Sequence, residues 1–285
     1  MMRGIADTDL RDDLRSDSAL REALQASAAA GRLSNDEIRA MRAARRRRTV
    51  SVAAIALVAV VGFGGWRQWM IPTPTAPAVA LHFGTKPGET RVVELADGSS
   101  IQLGGGSRVD VNLGPDRREV RLEAGEAYFD VAHDPSKSFT VRAGATDVRV
   151  LGTAFNLNLT QEQVGLAVYR GAVRFAGASA GKQVVTAGYR TRFHQGRIDS
   201  PVHFDPMQPD WRLGWLDTAG MTLGDLVEVL DRQGGPSIAP PPPALAGIAV
   251  SGRFRLDNSG QLLDAIGSAN GFHVRREAHR LVIGP

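Results

Sequence analysis

Cysteine is absent from the 285 residues, so disulfides, a thiolate nucleophile and cysteine-ligated metal are all excluded. The chain also lacks the patterns that usually announce an enzyme. No HExxH helix, GxSxG elbow, phosphate-cradling Walker loop or dinucleotide glycine pattern occurs in a strand-to-helix setting. The six histidines, His82, His133, His194, His203, His273 and His279, stand far apart or on spacings unsuited to ligation. Glu126 and Asp130 are four apart, but on one face of a strand they read equally well as a solvated edge. The expectation is therefore no enzyme, no catalytic residue, no metal and no cofactor.

Charge is missing from one stretch in particular. Between Val50 and Trp66 there is no Asp, Glu, Lys or Arg, and Ser51 is the only polar side chain. At a rise of about 1.5 Å per residue this run, extended to Met70, is long enough to cross a hydrocarbon layer of roughly 30 Å. Six of the ten residues from Arg39 to Arg48 are arginine, ending in Arg45, Arg46, Arg47 and Arg48, whereas Arg67 is the only cation between the run and Lys86. Excess positive charge stays cytoplasmic, so the N-terminus is expected inside and the chain beyond residue 70 outside. Trp66 and Trp69 suit an interfacial belt. A cleaved leader is the rival reading, because Ala78-Val79-Ala80 has the small-x-small form of a cleavage site. The apolar run is longer than a leader core and the site lies well past its end, which favours a retained anchor. The net charge of +4 is concentrated in the arginine block, where topology and anionic lipid account for it without nucleic acid.

Residues 1–48 are expected to be a cytoplasmic tail. Leu10, Leu14, Leu20 and Leu24 recur at helical spacings before Gly31, and Ser34-Asn35-Asp36-Glu37 opens a second helix bearing Ile38 and Met41. So few apolar residues cannot offset the entropy of ordering the tail, so it either folds on a partner or stays a charged, unstructured topology signal. After the span at 49–70, the segment 71–84 is rich in proline and reads as a stiff spacer.

From Arg91 the period changes to two. RVVEL, SIQL, RVDVNL, REVRL, YFDV, FTVRA, DVRVL, FNLNL, VGLAVYR and VRF succeed one another with Gly, Asp, Asn and Pro between them, which predicts an all-β body over 85–200. Gly104 to Ser107 is expected to be a hairpin loop between two of these strands. Residues 205–285 then alternate helical and extended patterns. One helix runs over Leu223 to Gln233 with Leu226, Val229 and Leu230 on one face. A second covers about Gly260 to Ala269, and strands follow each, which predicts a small α+β module interrupted by the Pro240–Pro243 run.

The runs RVVELADGSSIQLGGGSRVDV, LEAGEAYFDVAHDPSKSFTVRAG, VRVLGTAFNL and LAVYRGAVRF resemble, in content and order, the FecR domain of periplasmic anti-sigma regulators. The similarity spans about residues 85–195, and the C-terminal module is similar to the short signalling fold of secretins and of TonB-dependent transporters. What the resemblance implies is a single-pass protein of the bacterial inner membrane. Its tail would hold an extracytoplasmic-function sigma factor through Leu10, Leu14, Leu20, Leu24, Ile38 and Met41. Its C-terminal module would meet the signalling domain of a TonB-dependent outer-membrane transporter. Periplasmic and intramembrane proteases would release the sigma factor. The resemblance also implies self-cleavage at Gly152-Thr153, where the threonine hydroxyl would attack the preceding carbonyl; the bland alternative is a bulge at Gly152 with Thr153 starting a strand. The competing function is an anchored periplasmic scaffold that binds glycan or a secretin without touching a sigma factor.

Overall fold

The computed structural model describes residues 81–218 and 220–285, together with Glu22 and Gln25, which are helical. The proposed tail helices, the arginine block and the 49–70 span lie outside the described residues. Among the described residues no helix is long and apolar enough to cross a membrane.

Strands β1 (Leu81–Gly84), β2 (Arg91–Glu94), β3 (Ser100–Leu103), β4 (Arg108–Gly114), β5 (Arg117–Asp130), β6 (Phe139–Ala143), β7 (Thr146–Val150), β8 (Ala154–Leu159), β9 (Gln163–Arg170), β10 (Ala172–Gly177), β11 (Gly181–Thr186) and β12 (Tyr189–His194) follow in order, with short β13 (Arg197–Ile198) and β14 (Val202–His203) after them. The path β11-β10-β7-β6-β5-β8-β9-β12-β13 is continuous, and β5 joins its two halves. The first part of β5 pairs with β4 and, in parallel, with β6, while the last part pairs antiparallel with β3 and β8. Alternation in these strands sends Val120, Leu122, Phe129, Phe139, Phe155 and their neighbours into a single core, where Phe129 stacks on Phe155 at 5.0 Å.

Three sequence expectations change here. Residues 81–84, assigned to the spacer, form β1 and pair with β4, because Leu81 and Phe83 alternate with polar neighbours just after the prolines. REVRL and YFDV are one strand, bent at Gly125, whose φ of +88° only glycine adopts readily. Gly104–Ser107 does not close a hairpin: β3 and β4 lie end to end along β5, and these residues form the joint between them.

The Asp97-Gly98 turn is held from several sides. The Asp97 carboxylate accepts from Ser99 N and Oγ, and Ser99 Oγ accepts from Ala132 N. Arg118, only 3% exposed, donates to Asp97 at 3.3 Å and to the carbonyls of Ala132 and Lys137. A buried guanidinium needs this many acceptors to offset its desolvation.

The C-terminal module begins with a 3-10 turn at Trp211–Leu213. It continues through β15 (Trp215–Asp217), β16 (Met221–Thr222), α1 (Leu223–Asp231), β17 (Ser237–Ile238), α2 (Pro243–Ala246), β18 (Ala249–Val250), β19 (Arg253–Arg255), α3 (Ser259–Asn270), β20 (His273–Glu277) and β21 (Arg280–Gly284). Thr222 caps α1 by accepting from Asp225 N, and Asn258 caps α3 by accepting from Gln261 N. The apolar faces of both helices bury Leu226, Val229, Leu230, Leu263 and Ile266 with Phe272 and Leu281. The proline run supplies α2, a single turn that enters at Pro243, where a missing N–H costs nothing.

Candidate functional site

Two places carry more polar organisation than folding alone demands. The first is the Gly152-Thr153 bond. The flanking backbone is fixed: Asp134 N donates to Leu151 O at 2.8 Å and Val131 N to Thr153 O at 3.0 Å. A Cβ at residue 152 would sit 2.6 Å from His133 Cα and Nδ1, so only glycine fits and the imidazole stands beside the bond. Thr153 is buried, and its hydroxyl donates to the Ala172 carbonyl at 3.1 Å. Gly171, at φ +82°, makes the turn that brings that carbonyl close. Neither Gly152 nor Thr153 has a positive φ, and the register irregularity of this strand falls one step later, between Ala154 and Phe155. The hydroxyl must leave Ala172 before it could approach the Gly152 carbonyl.

The second place is the junction between the β body and the C-terminal module, and α1 supplies most of it. Asp225 Oδ1 accepts from Thr160 Oγ1 at 2.5 Å, and Glu228 Oε2 accepts from Gln161 N at 3.0 Å. Arg232, at the end of α1, donates to Leu159 O at 3.2 Å and to Asn158 Oδ1 at 3.0 Å, while its own carbonyl accepts from Gly88 N at 2.9 Å. The Gly104–Ser107 joint is shaped to receive it. A Cβ at Gly105 would lie 2.0 Å from the Arg232 carbonyl oxygen, and one at Gly106 would press on the Arg232 side chain at 3.2 Å.

Beneath this contact lies Glu126, which the sequence offered only as half of a carboxylate pair. Its partner in that pair, Asp130, is at the surface with Arg170 at 2.6 Å. Glu126 is 8% exposed. Asn156 Nδ2 donates to its Oε1 at 2.7 Å, and Trp211 Nε1 donates to Asn156 Oδ1 at 2.9 Å. Burial raises the Glu126 pKa from 4.5 to about 7, against the pull of the Arg232 charge and the Asn156 bond. Beside it, Arg212 lies 3.7 Å above the Tyr128 ring and pairs with Asp210, which also accepts from Tyr169 Oη at 2.7 Å. Burial pushes the Asp210 carboxyl up, but the bonds from Arg212 and Tyr169 outweigh it and hold the group below the usual carboxylate range. Burial and the Asp210 charge raise the Tyr169 phenol.

The junction encloses a cavity of about 740 Å³. Pairing registers explain its shape. Across the sheet run two rows on one face, Glu126–Asn158–Gly165–Arg192 and Tyr128–Asn156–Ala167–Arg190. Gly165 and Ala167 leave β9 without bulk, so a trough opens between the amide and carboxyl side chains of β5 and β8 and the guanidinium groups of β12. Trp211, Trp215, Met221 and Phe204 wall it.

Of the residues singled out from sequence, Gly152 and Thr153 are adjacent to His133. Leu10, Leu14, Leu20, Leu24, Ile38, Met41 and Arg45 to Arg48 are outside the described residues. Among the described residues no cluster of three or more His, Asp or Glu has a geometry that could hold a metal. Glu126, Tyr128, Asn156 and Tyr169 lie within the runs that carry the FecR resemblance, but nothing in those runs marks them as a site. Their only sequence signal was the polar Asn156 and Asn158 in an otherwise apolar strand.

The family described as FecR protein matches residues 82–174. A crystal structure at 2.50 Å of a candidate anti-sigma factor from Parabacteroides distasonis ATCC 8503 is 25% identical, with a TM-score of 0.65, covering 72% of this chain and 98% of that one. Another with the same description, at 1.65 Å, is 25% identical over the same shares, with a TM-score of 0.64. Among curated proteins none matches the sequence. The fold and the FecR match agree with the solved structures in kind, and those are described as anti-sigma factors. Residues 82–174 thus match a FecR domain, and the described fold is similar to that of solved candidate anti-sigma factors.

Proposed function

We propose that this chain is a single-pass inner-membrane regulator of an extracytoplasmic-function sigma factor. Its tail at 1–48 faces the cytoplasm, 49–70 spans the bilayer, 71–80 spaces the β body from the membrane, and the C-terminal module receives the signal from a TonB-dependent transporter. The observation that carries the reading is the FecR domain at 82–174, placed directly after an arginine-flanked apolar run long enough to span. Proteolysis then frees the tail with its sigma factor, since a single helix transmits little conformational change by itself.

The test is affinity capture of the full chain with the sigma factor encoded beside it. Copurification that is lost on changing Leu14 and Leu24 to Asp is the expected result. Equal capture by the variant, or none by the parent, removes the sigma-factor role.

Self-cleavage at Gly152-Thr153 belongs to the same reading. The support is a threonine hydroxyl directly after a glycine that packs against a histidine side chain. Thr153→Val keeps the shape and removes the nucleophile. Fragments dividing at this bond are expected in membranes from the parent and absent from the variant. Full-length protein alone in both would exclude the step.

A further inference from the structure

The trough between the β body and the C-terminal module has properties that neither packing nor the regulatory reading requires. Its floor is made by omission. Gly165 has an ordinary backbone, and a Cβ there would meet only Asn158 O at 3.8 Å and Asn158 Cβ at 3.9 Å, so neither strain nor crowding demands glycine. Its two long walls differ in chemistry: a carboxyl with a free oxygen on one, and guanidinium groups paired with Asp217 and Asp199 on the other. On one side, Glu126 is nine-tenths buried and uses only Oε1 in a hydrogen bond among the described residues, leaving Oε2 unpaired at the cavity wall. On the other side, Arg190 pairs with Asp217 through Nη1 at 2.7 Å, and its Nε is buried with no partner. Arg192, next to it, is held by Asp199 at 2.6 Å and by the Gly220 carbonyl at 2.6 Å.

An unpaired carboxylate oxygen asks for a donor, and the guanidinium nitrogens of Arg190 and Arg192 not engaged by Asp217, Asp199 and Gly220 can donate to an acceptor in the trough. Glu126 on β5 and the two arginines on β12 are separated by β8 and β9, so the two walls stand roughly 14 Å apart at the backbone. Aromatic and thioether side chains line the space between them, which suits an apolar body. A cavity of about 740 Å³ is of the size that holds a small organic ligand.

We propose that this trough binds a short zwitterionic peptide of two or three residues. Its ammonium group sits at Glu126, its carboxylate at Arg190 and Arg192, and its apolar side chains lie against Trp211, Trp215 and Met221. Such a peptide spans about 3.3 Å per residue when extended, which matches the separation of the walls once protein side chains reach inward. Because its walls come from both the β body and the C-terminal module, a bound peptide ties them together.

Calorimetric titration of the full chain in detergent with the tripeptide Ala-Phe-Ala tests this. The free peptide is expected to bind, and its N-acetylated and C-amidated forms are each expected to bind about tenfold or more weakly, since each loses one charge-assisted pair. Gly165→Val fills the floor at a β-compatible position and is expected to abolish binding while the thermal midpoint is retained. Glu126→Gln is expected to weaken the free and C-amidated peptides and to leave the N-acetylated one unchanged. Equal affinity of all three peptides, binding that survives Gly165→Val, or no heat at millimolar peptide with folded protein each overturns the assignment.

Discussion

At the residue scale, Glu126 makes the stability of the junction depend on pH. A carboxyl whose pKa rises from 4.5 to about 7 on folding holds its proton more tightly in the native state than in the unfolded chain. Its contribution is therefore fully present below about pH 4.5 and is lost as pH rises through about 7. The span of the shift corresponds to about 3 kcal/mol. Glu126→Gln keeps an amide in place of the protonated acid, so the thermal midpoint of the variant is expected to fall less between pH 5 and pH 8 than that of the parent. Parallel pH profiles for the two proteins would show that another group governs the slope. Arg232 takes part from the other side: burial pulls its pKa down while Glu126, Glu228 and Asp225 pull it back. Ionised Glu126 thus faces a guanidinium that is itself poorly solvated.

At the element scale, the joint between β3 and β4 determines whether α1 can seat. Ser107 Oγ donates to Glu126 O and accepts from Glu126 N, both at 2.9 Å, so the joint is stitched to the bend of β5 at the point where Glu126 begins its inward course. Gly105→Ala sets a methyl group 2.0 Å from the Arg232 carbonyl position, which backbone cannot absorb. The variant is expected to keep the β body folded and to expose the 199–210 connection, read as faster limited proteolysis there. Unchanged cleavage would show that α1 seats without this contact. The same joint marks where sequence reading ran out. Alternation gave the core strands correctly because burial of one sheet face writes period two directly into Val120, Leu122, Val141 and Val148. Gly104–Ser107 looks locally like a hairpin loop, and its real role depends on Arg232, more than a hundred residues later, which no local pattern encodes. Short strands such as β17, with two residues, carry too little periodicity to register. Helices α1 and α3 were legible because their apolar faces recur at three and four. The trough was not, since an absent side chain at Gly165 means something only when its cross-strand neighbours are known.

At the scale of the whole molecule, the chain reads as three chemically distinct regions in series: a basic N-terminal segment, an apolar run and a β-rich remainder. The expected topology is checked by reporter fusions, one before Arg45 and one after Ala80. A cytoplasmic reporter should be active only in the first and a periplasmic one only in the second. Activity of both fusions on the same side of the membrane would refute the span, and recovery of a mature product lacking the first eighty residues would favour a cleaved leader. Composition and charge alone point to the tail and span, whereas the FecR match and the solved neighbours bear on the β-rich part, where a motif order spread over a hundred residues is hard to produce by chance.

The bond from Gly88 N to Arg232 O has a mechanical consequence. Gly88 stands only a few residues after Leu81, where the chain enters the β body, so the C-terminal module is fastened next to the strap that leads back towards residue 80. Tension applied to the module would reach that strap through α1 and one short loop, as well as the sheet through the bonds from α1 to Asn158, Leu159, Thr160 and Gln161. The two ends of the described region thus share α1 as a common anchor, and a tug on one loads the other.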